Sequence, residues 1–189
     1  MKHDFSDYTS LVPAKTVAIL QTKIRYGDGE DNVLKRTKAG DGEGLDMEFT
    51  LLDGPCARDK FVVFMLVTGE TEGQKSMAKS NRERLKLIQD SALYLDPSDK
   101  SPEARAKRSF AWRDFDGLRF LAEIGIEEGK GGYPDKNVIT RVITKDHPLW
   151  GGRPPIDQTE PDRGANVAPV APVPPSPSAA PIVKPTWAS

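Results

Sequence analysis

The chain has little of what most chemistry needs. Its 189 residues include one cysteine and two histidines. Cys56 cannot close an internal disulfide, which fits a reducing compartment and leaves the fold without a covalent brace. Within DGPCAR it reads as a small turn residue. His3 and His147 have no histidine or cysteine at ligand spacing, so neither a metal nor a cofactor is expected. No apolar run approaches the roughly 20 residues that span a bilayer. The opening MKHDFSDYTSLVP lacks the uninterrupted apolar stretch of a signal peptide. The expectation is a cytoplasmic protein with no membrane partner. Charge of one sign is also lacking, with 27 basic against 28 acidic residues and a net charge of −1. That argues against a uniformly basic surface, although a balanced total can hide a basic stripe on one face.

Catalytic signatures are equally sparse. There is no Ser/His/Asp set and no paired ligand motif. GKGGYPDK is not a phosphate loop, because it joins two strand-like segments and lacks the Gly-Lys-Ser/Thr ending before a helix. Asp28, Asp31, Asp41 and Glu43 resemble acids that hold Mg²⁺ for nuclease chemistry, but they sit in a glycine-rich loop read as solvated. The same loop lacks the spacing of a calcium-binding EF-hand. The chain is therefore read as not an enzyme.

What is present is a pattern of strands around one helix. Gln74–Leu95 places Met77, Ala78, Leu85, Ile88, Ala92 and Leu95 within about a third of a helical wheel. Asn81 interrupts that stripe and Asp90 lies off it. Thr71 and Gln74 have capping-box spacing, and Pro97 is the expected stop. Ala14–Tyr26 and Leu45–Leu52 precede the helix as alternating strands. Lys60–Val67 is apolar on both faces, which implies burial on both sides or one face that binds something flat and apolar. Leu118–Glu128 and Asn137–Lys145 follow as a hairpin. Ser101-Pro102 opens a short helix, and Trp112 and Phe115 are expected to close the base of the fold.

Residues 1–13 read as a lead-in, residues 14–150 as the folded domain, and residues 151–189 as a disordered, partly polyproline tail rich in Pro, Ala, Val and Ser. Three strands, a helix, then two strands is the chain order of a mainly β (α+β) fold, a five-stranded Greek-key barrel of OB-fold type. Such a barrel binds its ligand across its second and third strands, between the loops after the first and fourth. In this chain those regions supply Lys23, Arg25 and Tyr26 at the end of the first strand and Lys35, Arg36 and Lys38 in the loop after it. They also supply Phe64 on the third strand, and Lys130, Tyr133 and Lys136 around the last loop. Arg119 and Arg141 stand on the last two strands. Cations that track phosphates, mixed with rings that stack on bases, are the ingredients of single-strand binding.

The chain resembles a family of small bacteriophage and prophage proteins, classed as a domain of unknown function and related to phage single-stranded DNA-binding proteins. The resemblance runs over most of residues 4–145. It rests on DFSDY, the glycine-rich loop before LDMEFTLLDG, RERLKLIQ, DFDGLRFLAEIGIEE, GYPDKN and VITRVI. It implies an OB-fold protein that protects or organises single-stranded DNA in replication or recombination, in the cytoplasm of a bacterial host. Replication or recombination proteins would be partners through the tail, and self-association is left open. The tail departs from the pattern, since it ends KPTWAS where bacterial single-strand binders carry an acidic, aromatic-tipped end. The alternative expectation is an interaction module whose barrel is a scaffold and whose proline-rich tail docks a partner.

Overall fold

The computed structural model describes residues 11–25, 27, 33–129 and 131–159. Its strands are β1 (Thr16–Arg25), β2 (Lys35–Arg36), β3 (Gly42–Leu51), β4 (Lys60–Gly69), β5 (Arg119–Glu127) and β6 (Lys136–Ile143). They form one antiparallel sheet in the order β4-β3-β1-β5-β6. β2 pairs with Glu43 and Gly44 and so continues the edge of β3 that β1 occupies further along. β1 is the shared strand: its residues 20–25 pair with β3 and its residues 16–21 with β5. The fold is thus mainly β with one principal helix, and its sheet is open where a closed barrel was expected. Cα atoms of β4 and β6 come within 8 Å of each other, yet no ladder joins the two strands among the described residues. A sixth strand, the two-residue β2, was not expected from the sequence.

Alternation selects the inner face. Ala18 and Leu20 of β1, Leu45, Met47, Phe49 and Leu51 of β3, Phe61 and Met65 of β4, and Phe120, Ala122 and Ile124 of β5 are buried together. Phe49 stacks on Phe61 and meets Phe120 edge-on, with centroids 5.4 and 5.9 Å away. α1 (Glu72–Ala92) covers this core with Ala78, Leu85, Ile88 and Ala92, as its spacing predicts. The Thr71–Gln74 capping box also forms as expected. Met77 instead faces solvent. Asn81, which breaks the apolar stripe, donates to the Leu66 carbonyl at 3.0 Å and so ties the helix to β4.

The helix ends before the expected Pro97. Tyr94 takes a left-handed conformation (φ 55°), and the amides of Tyr94 and Leu95 turn back to the carbonyls of Ser91 and Asp90. This double return is a Schellman stop, here made without glycine. The Tyr94 ring is held 5.5 Å from Trp150 and lies beneath the Lys145 ammonium.

α2 (Pro102–Lys107) starts on the Ser101 cap, as its sequence predicts. A 3-10 turn at Trp112–Phe115 packs Phe115 into the core with Trp112 and Phe110 against it. Packing also continues past Trp150. Trp150 and Ile156 cover Leu121, Ile143 and Ile19 on the outer side of the sheet. The Gln158 side chain accepts from the Arg119 amide at 2.9 Å and donates to the carbonyls of Arg119 and Ala92. The first residues of the segment read as tail, 151–158, are therefore built onto the domain. None of the described helices is long and apolar enough to cross a membrane.

Candidate nucleic-acid interface

The outward side chains of β1, β3 and β4 fall into rows set by register. One row is Arg25, Asp46 and Phe64; the next is Lys23, Glu48 and Val62; the third is Gln21, Thr50 and Lys60. Each row follows from the period of two in an extended strand: with Leu45, Met47 and Phe49 committed to the core, Asp46, Glu48 and Thr50 must face out.

Asp46 is the pivot of the first row. Its Oδ2 lies 3.0 Å from Lys35 Nζ and 3.9 Å from Arg25, and its side chain is 9% exposed. Beside it Phe64 is 40% exposed on a strand whose alternate residues are buried. Lys35, Arg36, Thr37, Lys38, Asp46 and Phe64 enclose a shallow cleft of about 340 Å³. Glu48 in the second row pairs with Lys60 at 3.2 Å. Lys23 stands opposite Glu48 in the second row and forms no ion pair with a carboxylate among the described residues. A second, polar cleft of about 340 Å³ continues along Gln21, Lys23, Glu48, Lys60 and Asp116.

The loop that carries the basic tip is braced. Thr37 donates to Asp41 at 2.6 Å, and Gly40 takes φ 75° to turn the chain toward β3. The Thr37 hydroxyl, with help from Gln74 at the start of α1, holds the Asp41 carboxyl below its ordinary range. Glu43 pairs with Arg36 at 3.4 Å. Asp41 and Glu43 are thus engaged in local structure, while Asp28 and Asp31 lie outside the described residues.

The expected site residues divide into three groups. Lys23, Arg25, Lys35, Arg36, Lys38 and Phe64 come together on the face just described. Tyr133, Lys136 and Arg141 do not join them through the sheet. The β5–β6 loop lies at the Thr16 end of β1, opposite the end that carries Arg25. There Tyr133 is exposed, Lys136 pairs with Glu127 at 3.1 Å, and Arg141 lies 3.2 Å from the His147 ring. Arg119 belongs to neither group: it is 6% exposed and donates to the Asp157 carbonyl under the C-terminal segment. Tyr26 and Lys130 lie outside the described residues. His147, read as solvent-facing, is half-buried and caps the turn at Pro148–Trp150 through its Nδ1.

Sequence reasoning overlooked Lys60 as part of the face, and the signal was available. Thr50 pairs with Lys60 once the Asp53–Asp59 turn is taken as a hairpin, which brings the lysine into the third row. No protein-family model and no curated protein sequence matches this chain.

Proposed function

We propose that the chain is a non-catalytic single-stranded DNA-binding protein of OB-fold type, working where replication or recombination exposes unpaired strands. The observation that carries the reading is Phe64, a large ring left on the surface of the β3–β4 hairpin in a cleft it shares with Lys35, Arg36 and Lys38. A ring among cations serves base stacking and phosphate neutralisation together. The strand order supports it. If β2 is set aside, the path β4-β3-β1-β5-β6 with α1 between β4 and β5 is the order of an OB barrel, and a seam between β4 and β6 would be parallel, as that fold requires. The face then coincides with the strands such folds use for ligands.

The test is the anisotropy of labelled oligo-dT and of a matched duplex at two salt concentrations. Tight, salt-weakened binding of the single strand with weak duplex binding is expected. No binding to either at low salt overturns the reading. Phe64→Ala should lose about 1–3 kcal/mol of single-strand affinity, the contribution of one stacked base.

One observation favours the second reading, an interaction module. Much of the face's positive charge is already met by Asp46, Glu48 and Glu43. Removing residues 160–189 separates the two: DNA binding survives under the first reading, and capture of a protein partner is lost under the second.

A further inference from the structure

We propose that Asp46, seconded by Glu48, makes this face discriminate against duplex DNA. The inference rests on the single-strand reading above and deepens it. Asp46 is not a stray surface acid. It is nearly buried on the floor of the cleft, it holds both Lys35 and Arg25, and its cross-strand partner on β4 is the exposed Phe64. Glu48, one row further along opposite Val62, holds a single cation, Lys60 at 3.2 Å.

The consequence follows from what each ligand can offer that floor. A duplex presents fixed rows of phosphates, and its bases are stacked and paired away from the protein. Any phosphate it brings to Lys35 and Arg25 meets the Asp46 carboxylate already in place, and like charges repel. A single strand has freer torsions. It can lay a base on Phe64, leave its phosphates at the rim beside Arg36, Lys38 and Lys23, and turn an exocyclic amino group toward the carboxylate, as acidic side chains do with cytosine. The acids therefore penalise a ligand that binds by phosphate alone and spare one that binds by stacking.

The test compares the wild-type protein with Asp46→Asn and Glu48→Gln, measured against labelled oligo-dC and a duplex of the same length. Thermal unfolding of each variant is followed in parallel. Asp46→Asn should raise duplex affinity at least tenfold while changing single-strand affinity less than threefold. It should also steepen the duplex salt dependence by about one unit of slope, the mark of one more phosphate contact. Glu48→Gln should shift the ratio in the same direction by a smaller factor, and it decides the matter if Asp46→Asn fails to fold. Equal strengthening of both ligands, or an unchanged ratio in a folded variant, overturns the proposal. Weakening of both overturns it too, since the acid would then only be bracing Lys35 and Arg25. Failure of the wild-type protein to bind either single strand is a different result: it removes the single-strand reading itself, and this inference with it.

Discussion

Asp90 has no solvent exposure at all, although its place on the helical wheel suggests a solvated residue. Its carboxylate has two cationic partners: Lys86 at 2.9 Å from the same helix, and Arg108 at 2.5 Å from the end of α2. Arg108 also donates to the carbonyls of Asp96 and Asp99, so one guanidinium pins both ends of the 96–108 insert to α1. Removing one partner of such a pair leaves an uncompensated buried charge. Arg108→Ala should therefore destabilise the fold by about 3–5 kcal/mol in urea unfolding, whereas loss of the exposed Lys75–Glu72 pair should cost under about 1 kcal/mol. A pH dependence belongs to the same insert. Asp96 and Asp99 have carboxyls held below the ordinary aspartate value, chiefly by the hydroxyl and amide of Ser98 and by the amide and hydroxyl of Ser101. A depressed folded-state value stabilises above the unfolded-state value, about 3.9, and that contribution is lost as pH falls through the folded one. Amide exchange in 96–108 should rise below about pH 4 before it does in the β3–β4 hairpin, and Ser98→Ala should bring the Asp96 titration, followed by NMR, back up toward the ordinary range.

At the scale of the element, the strands were legible because each buries one face, and a period of two leaves little choice of register. Leu45, Met47, Phe49 and Leu51 announced β3 and, by exclusion, the outward Asp46 and Glu48. What stayed hidden depends on contacts distant in sequence. The stop of α1 at Leu93 requires Tyr94 in a left-handed conformation, which local propensity disfavours and the Trp150 and Lys145 contacts sustain. The burial of Asp90 required knowing where Arg108 would land. The close approach of β3 to β4 at the bulge between Glu43 and Gly44 was equally hidden: a Cβ on Gly44 would sit 2.5 Å from the Met65 carbonyl oxygen, a backbone atom that cannot swing aside. Gly44→Ala should destabilise the protein by about 1–3 kcal/mol, and it should displace the Phe64 ring, whose Cζ would lie 2.7 Å from the added Cβ, visible as weaker single-strand binding.

For the whole molecule, the path β4-β3-β1-β5-β6 with a helix crossing between β4 and β5 was legible from element order alone, while the open seam and the seating of residues 151–158 were not. Composition marked everything after Trp150 as tail, and a proline-rich segment gives no periodic signal that Ile156 will find Leu121 and Ile143. Two truncations separate composition from contact. Ending the chain after Thr159 should leave the melting temperature within about 2 °C of the parent. Ending it after Trp150 should lower it by about 4–8 °C, because burial of Ile156 and the hydrogen bonds of Gln158 are lost together. The Gln158 amide has a geometric corollary. By taking the place of a strand beside Arg119, it fixes the point from which the remaining thirty residues depart. That point lies two strand spacings, about 10 Å, from Gln21 at the edge of the polar cleft. A fluorophore attached at position 159 would consequently report on cargo held at the cleft, whereas one placed on the β5–β6 loop would watch from the far end of β1.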